Sequence, residues 1–197
     1  SSSRSMFMNA LHLASGQVGF DPWLHTADEI AKIEAALAGA GASLVPVAEN
    51  PVDAIWADQP AAPKGKAFPH PDDLAGETSA TKRARLAEGL RKAGHRAAVI
   101  TLPDSLCWLL NIRGADVPKN PILHGFAVLQ DDGRVDLFVD AAKLDDAVRA
   151  HLGDGVAIQP VEGFASALMG LPGPVRVDRG TAPIAVADLL KAAGIEV

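Results

Sequence analysis

Carboxylates, imidazoles, one thiol and one unusually placed guanidinium make up the reactive inventory of this chain. Three adjacent acid pairs, Asp72-Asp73, Asp131-Asp132 and Asp145-Asp146, are the first places to look for a hydrolytic metal centre. Such a centre needs several carboxylates and imidazoles converging at fixed geometry. Each pair falls in an expected turn or at a helix start, where Asp is favoured for capping. The 6 histidines (His12, His25, His70, His95, His124 and His151) are scattered, with none two to four residues from another. Cys107 lies in an apolar run and is expected to be a buried, inert thiol. Ser79 and Ser105 lack a nucleophile-elbow context and read as helix-cap residues. Gly170-Leu171-Pro172-Gly173-Pro174 lacks the Lys and the helix start of a phosphate loop and reads as a turn. No catalytic residue and no metal ligand is assigned.

Arg113 is the most informative single residue. It follows the apolar run ending at Leu110, precedes Gly114, and has Asp116 three positions on. One expectation is a structural Arg113–Asp116 clasp that braces the loop containing Pro118 and Pro121. The other is that Arg113, Asp116, Asn120 and His124 face a cleft and meet substrate or a partner domain. A planar guanidinium suits that role because it recognises carboxylates and carbonyls bidentately.

The elements that must hold these residues fall into two blocks. In the first, Val18-Gly19-Phe20 ends a strand and Asp21-Pro22-Trp23 turns the chain. Thr26-Ala27-Asp28-Glu29 reads as a capping box opening a helix with Ile30, Ile33 and Leu37 on one face. Gly39 and Gly41 stop the helix, and Ser43 to Val47 is a strand. Residues 57–75 hold Pro60, Pro63, Pro69 and Pro71 and are expected to form a linker with neither helix nor strand interior. In the second block Thr78 or Ser79 caps a helix to Ala93, followed by a buried strand over 97–102 and a short helix over 103–110. Strands over 122–130 and 134–139 flank the Asp132-Gly133 hairpin signal. A helix capped by Asp140 runs to Leu152. Then come a strand over 156–159, a helix over 162–169, a strand over 175–177, a helix over 183–193 and a last strand from Ile195. This alternation predicts an α/β fold with a mixed sheet flanked by helices.

Composition narrows the partners. The formal net charge is -6, and there is no basic stripe with interleaved aromatics, so nucleic acid is excluded as a partner. Lys82, Arg83, Arg85, Arg91 and Lys92 share one expected helix and read as its solvated face. No apolar run approaches the roughly 18 to 20 residues of a membrane span. Ser1 to Met6 lacks a following apolar core, since Asn9 and His12 interrupt it, so no signal peptide is read. The single Cys rules out an internal disulfide and fits a cytoplasmic location.

Gly76-x-Thr78-Ser79-x-x-Lys82 and the run Trp108-Leu109-Leu110-Asn111-Ile112-Arg113-Gly114-x-Asp116-Val117-Pro118-x-Asn120-Pro121 resemble segments of the Xaa-Pro aminopeptidase (aminopeptidase P) family. Leu137 to Asp140, Lys143-Leu144, Val18 to Trp23 and Asn50 to Trp56 fit in order around them, so the resemblance covers the chain from Val18 onward. Gln59 stands where the family usually has Arg, and His124 stands at a position that is often aromatic.

The resemblance implies the non-catalytic amino-terminal half of such an enzyme, of the ribonuclease H-like creatinase/prolidase type. Residues 1–56 are then the carboxy-terminal remnant of a first domain, 57–75 a linker and 76–197 a second domain. The catalytic pita-bread domain, with two manganese ions, lies outside this chain. The parent is a metallo-aminopeptidase that hydrolyses short peptides with Pro at position 2. This chain, inactive alone, is expected to shape substrate access and hold its own catalytic domain and a homo-oligomer together. The alternative is a stand-alone creatinase-fold binding module, and a small independent metal hydrolase is the remaining reading. An incomplete first block is also expected to expose Phe20, Trp23 and Ile30, favouring dimerisation, swapping or a mobile amino terminus.

Overall fold

A computed structural model describes residues 16–38 and 41–197. Strands β1 (Gly16–Phe20) and β2 (Ala42–Pro46) pair in parallel, joined by helix α1 (Ala27–Leu37). The capping box is present at Thr26: its hydroxyl accepts from the Glu29 amide, and the Glu29 carboxylate accepts from the Thr26 amide. Gly39, expected as part of the helix stop, lies outside the described residues. A short α2 (Pro51–Ile55) follows, capped by the Asn50 side chain.

The main sheet has five strands in the order β8-β7-β6-β4-β9, formed by β4 (Ala97–Ile100), β6 (Phe126–Gln130), β7 (Val135–Phe138), β8 (Val156–Gln159) and β9 (Val175–Val177). β4 is parallel to β9 and β7 to β8, while β6 runs against both of its neighbours. Four carboxyl ends therefore share one edge. Side chains alternate across the sheet as period two requires. Ala127, Leu129, Val135 and Leu137 enter one core with α4 (Ser79–Lys92), α5 (Pro103–Leu110) and α6 (Asp146–Leu152). Val99, Val128, Phe138 and Val175 enter the other with α7 (Phe164–Met169) and α8 (Ile184–Ala192). This is the expected mixed α/β class.

Several local expectations need correction. Residues 57–75 contain β3 (Ala67–Pro69), which pairs antiparallel with β5 (Ile112–Gly114), and α3 (Asp72–Ala75). Their prolines sit where a strand or helix tolerates them: Pro69 at the end of a two-stranded ribbon and Pro71 immediately before a helix. Strand β6 starts at Phe126 rather than Ile122, because the preceding loop uses the backbone of 121–124. Pro121 and Ile122 carbonyls accept from Gly114 and Asp116, and the His124 amide donates to the Asp116 carboxylate. Asp140 caps only a 3-10 turn over Ala141–Lys143; Leu144 is extended, and Asp145 caps α6 anew. Ile195 to Val197 is not a strand, although the Glu196 carbonyl accepts from the Val175 amide.

The first block is docked onto the second. Helix α8 has no side-chain cap, and its first amides, at Ile184 and Ala185, instead donate to the carbonyls of His25 and Pro22. Orphan donors at a helix start need such partners. Arg179 pairs with Asp28 at 3.2 Å, and Trp23 packs against Phe126 and Phe164 with ring centroids 6.4 and 6.3 Å away. The expected exposure around this block is therefore only partly present: Ile30 is buried, while Trp23 remains 38% exposed.

Lys82 overturns the solvated-face reading of α4. It is only 2% exposed, with its ammonium 4.5 Å from the centroid of the Trp108 ring. It donates to the Trp108 carbonyl (2.9 Å) and to Asn111 Oδ1 (2.6 Å). Asn111 caps α5 in the left-handed region (φ 49°), and its amide nitrogen donates to Asp72 Oδ1 and the Glu77 carbonyl. One side chain thus ties α3, α4 and α5 together. Asn111→Gly keeps the backbone conformation and loses the side-chain bonds, whereas Asn111→Ala loses both. We expect the Ala variant to be less stable than the Gly variant by about 1–2 kcal/mol, the left-handed strain of a Cβ, measured by urea unfolding. Equal stabilities would show that the backbone conformation carries none of the effect.

Candidate functional site

A groove of about 570 Å³ opens at the carboxyl ends of β7 and β8, where open α/β sheets place ligands. Its floor and walls include Phe126, Val139, Ile158 and Pro160; its charged lining residues are Lys64, Lys143, Asp140 and Glu162, and the His124 imidazole lines it too.

The cationic side of the groove is assembled by one buried carboxylate. Asp116 Oδ2 lies 2.7 Å from Lys143 Nζ, and the two side chains are 0% and 7% exposed. Oδ1 also accepts from Lys143 at 2.9 Å and from the Gly65 amide at 3.0 Å, while Oδ2 accepts from the His124 amide at 2.7 Å. Gly65 adjoins Lys64, so this single group positions the segments that carry Lys64, His124 and Lys143. Burial pushes the Asp116 carboxyl up, but the Lys143 ammonium and the His124 and Gly65 amides outweigh it, leaving the group below its ordinary value. Close backbone approach is required here: a Cβ on Gly65 would run into the Ala115 carbonyl, and one on Gly114 would lie 2.6 Å from the Ile122 oxygen.

The four sequence candidates separate. Asp116 and His124 are joined by a hydrogen bond, and His124 lines the groove. Arg113 does not pair with Asp116. It lies in the middle of β5 opposite Phe68, and its Nη1 donates to the Ile112 carbonyl at 2.8 Å. Asn120 sits exposed on the Val117–Asn120 turn. Lys143, Lys64, Phe126 and Glu162 were not singled out as site residues. The only hint was the Lys143-Leu144 pair in the family resemblance. Cys107 is buried, accepts from the Leu123 amide at 3.3 Å, and is pushed up by burial, so its thiol stays protonated near neutrality. Among the described residues no three His, Cys, Asp or Glu side chains are grouped to hold a metal ion, so the residues present do not fit a dinuclear centre.

Removing one partner of a buried pair costs about 3–5 kcal/mol, because the other charge is left uncompensated. Asp116→Asn should fall at the lower end of that range, since the amide oxygen still accepts. The pH dependence has a definite sign. The folded Asp116 value lies below the unfolded one, so the unfolded chain binds more protons between them and stability rises with pH there. The contribution is complete above the unfolded value near 3.8 and is lost as pH falls through the folded value. Acid unfolding followed by circular dichroism should be shallower in Asp116→Asn. An unchanged acid limb would show that other carboxylates govern it.

Residues 58–197 match the creatinase/prolidase N-terminal domain family. The probable Xaa-Pro aminopeptidase P of Coccidioides posadasii is 41% identical over 152 residues, covering 77% of this chain and 23% of that protein. The corresponding Neosartorya fischeri protein is 40% identical over 144 residues, covering 73% and 22%. The crystal structure of X-prolyl aminopeptidase from Caenorhabditis elegans, described as a cytosolic enzyme with a di-nuclear active site, superposes with a TM-score of 0.82 at 29% identity. It covers 96% of this chain and 32% of that one. This chain thus spans about a quarter of the curated relatives it matches and about a third of the solved one. With the family model matched from residue 58 to Val197, the chain belongs to the creatinase/prolidase N-terminal domain family.

Proposed function

We propose that this chain is the non-catalytic amino-terminal part of an Xaa-Pro aminopeptidase-like metallopeptidase, shaping substrate access and assembly for a catalytic domain that it does not contain. The observation that carries this reading is the superposition on nearly the whole chain but only a third of the Caenorhabditis elegans enzyme. The substrates are then short peptides with Pro at position 2, cleaved in that other domain with two metal ions, which we propose are manganese. The location proposed is cytoplasmic; no described helix is long and apolar enough to cross a membrane.

The division into residues 1–56, 57–75 and 76–197 belongs to the same proposal. The separate β1-β2 sheet and the family match beginning at residue 58 support it. His124 is proposed to face substrate from the groove, with Asp116 holding it there. Arg113 and Asn120 are proposed to meet the catalytic domain. Exposed Ile55, Trp56, Phe68, Leu74 and Trp108 supply apolar surface for that contact and for homo-oligomer formation.

The test is hydrolysis of an Xaa-Pro peptide by the 197-residue chain, with and without manganese. It is compared with a chimera in which this chain replaces the matching segment of the Caenorhabditis elegans enzyme. No turnover by the chain and metal-dependent turnover by the chimera are expected. Metal-dependent turnover by the chain alone would place the chemistry within it and overturn the reading.

A further inference from the structure

The first turn of α4, which lies within the Gly76-x-Thr78-Ser79-x-x-Lys82 motif, borders a cavity of about 280 Å³. Asp72 at the start of α3, His151 at the end of α6 and Asp154 ahead of β8 line it as well. Thr78, not Ser79, caps the helix: its hydroxyl accepts from the Thr81 amide at 3.1 Å, and its carbonyl accepts from the Lys82 amide. The Ser79 and Ala80 amides have no partner among the described residues, and such donors carry the positive end of the helix dipole. Ser79 Oγ is buried without a hydrogen bond, and so is Arg83 Nε one turn further on. Both residues line the cavity.

Arg83 carries a charge that no side chain balances. Its Nη1 donates to the carbonyls of Gly133 and Gly155 at 2.9 and 3.0 Å, and no carboxylate pairs with it among the described residues. Burial pushes the guanidinium below its ordinary value. Gly155 gives it room, since a Cβ there would run into Nη1. The guanidinium is thus held by two carbonyls while its Nε proton is left over.

The remaining polar groups limit what can enter. His151 Nε2 is engaged with the Leu110 carbonyl at 3.1 Å, and Asp72 Oδ1 accepts from the Asn111 amide nitrogen at 2.7 Å. Asp154 is exposed and has no partner among the described residues. A fully deprotonated anion would satisfy the donors but be repelled by Asp154. An anion that keeps a proton can donate it to that carboxylate in a charge-assisted hydrogen bond.

We infer that this cavity binds inorganic phosphate. Its oxygens accept from Ser79 Oγ, Arg83 Nε and the Ser79 and Ala80 amides, and its P–OH donates to Asp154. Near neutrality phosphate keeps at least one proton, whereas sulfate and carboxylates keep none, so Asp154 selects phosphate among them. The guanidinium repels a metal cation, and an apolar ligand would leave the buried donors unpaired. The inference draws on none of the function proposed above.

The test is a titration of the 197-residue chain with phosphate and with sulfate at constant ionic strength, followed by ¹H–¹⁵N NMR. Saturable shifts of the Arg83 Nε–H and of the Ser79 and Ala80 amides are expected. The phosphate Kd should be of order a millimolar, with sulfate about tenfold weaker or more. Ser79→Ala leaves the Thr78 cap in place and should weaken phosphate about fivefold. Asp154→Asn should bring sulfate to within about threefold of phosphate, because an amide can donate to an unprotonated oxygen. Circular dichroism checks that both variants keep the fold.

Shifts absent at ten times the expected Kd, or an unchanged affinity in Ser79→Ala, would overturn the inference. Equal responses to phosphate and sulfate would show an adventitious ion only and overturn it too. So would an Asp154→Asn variant that retains the full preference for phosphate. Methyl phosphate binding as tightly as phosphate would overturn the assignment to the free ion and give the site to a phosphate ester.

Discussion

The buried Asp116 carboxylate is the constraint on which the loop region depends. Its two oxygens take both contacts from Lys143 and the amides of Gly65 and His124, groups 27, 51 and 8 residues away. Buried ion pairs of this kind are weak evidence for net stability, since desolvation offsets most of the attraction. What the pair does here is set position. An apolar pair of equal volume would fill the same space but would leave two inward-facing amides without acceptors. The backbone could then no longer approach at Gly65 and Gly114, and the rim of the groove would lose its geometry.

Asn111 is the complementary anchor on the other side of β5. Together with Asp116 it brackets Arg113 and Gly114, so the Asn-x-Arg-Gly-x-Asp run is a device for fixing two ends of one short strand. The strand's alternation explains why Arg113 plays a different part from the one expected. Ile112 and Gly114 point into the buried side, where Asp116 also lies, while Arg113 lies between them on the half-exposed face opposite Phe68. Sequence proximity made Arg113 the obvious partner for Asp116. Strand geometry gave that place to Lys143.

What was legible in the sequence was local. The Thr26 capping box, the Thr78 cap and the Asp132-Gly133 hairpin turn between β6 and β7 each depend on residues a few positions apart, and each is present. What was not legible depended on distant partners. Lys82 reads as solvated because its own helix offers no acceptor; its acceptors come from the end of α5, 26 and 29 residues on. β3 is hidden among prolines because its pairing partner, β5, lies more than 40 residues later. The Trp23–Phe126 contact shares this property: the His25 and Pro22 carbonyls accept from the first amides of α8 and bring Trp23 onto Phe126, a contact no window of sequence displays.

The same accounting shows what one or both members of each acid pair do in the fold. Asp72 accepts from Asn111, and Asp131 and Asp132 pair with Arg96 and Arg134 at opposite sides of a hairpin turn. Asp145 accepts from the Val148 amide to start α6, and Asp140 accepts from Ala142. The backbone amide and guanidinium of Arg134 hold the Asp132 carboxyl below its ordinary range, so its affinity for protons is already reduced by the protein's own donors. A carboxylate used in this way supplies structure at its own position, and moving it toward a common centre would break a cap or a turn.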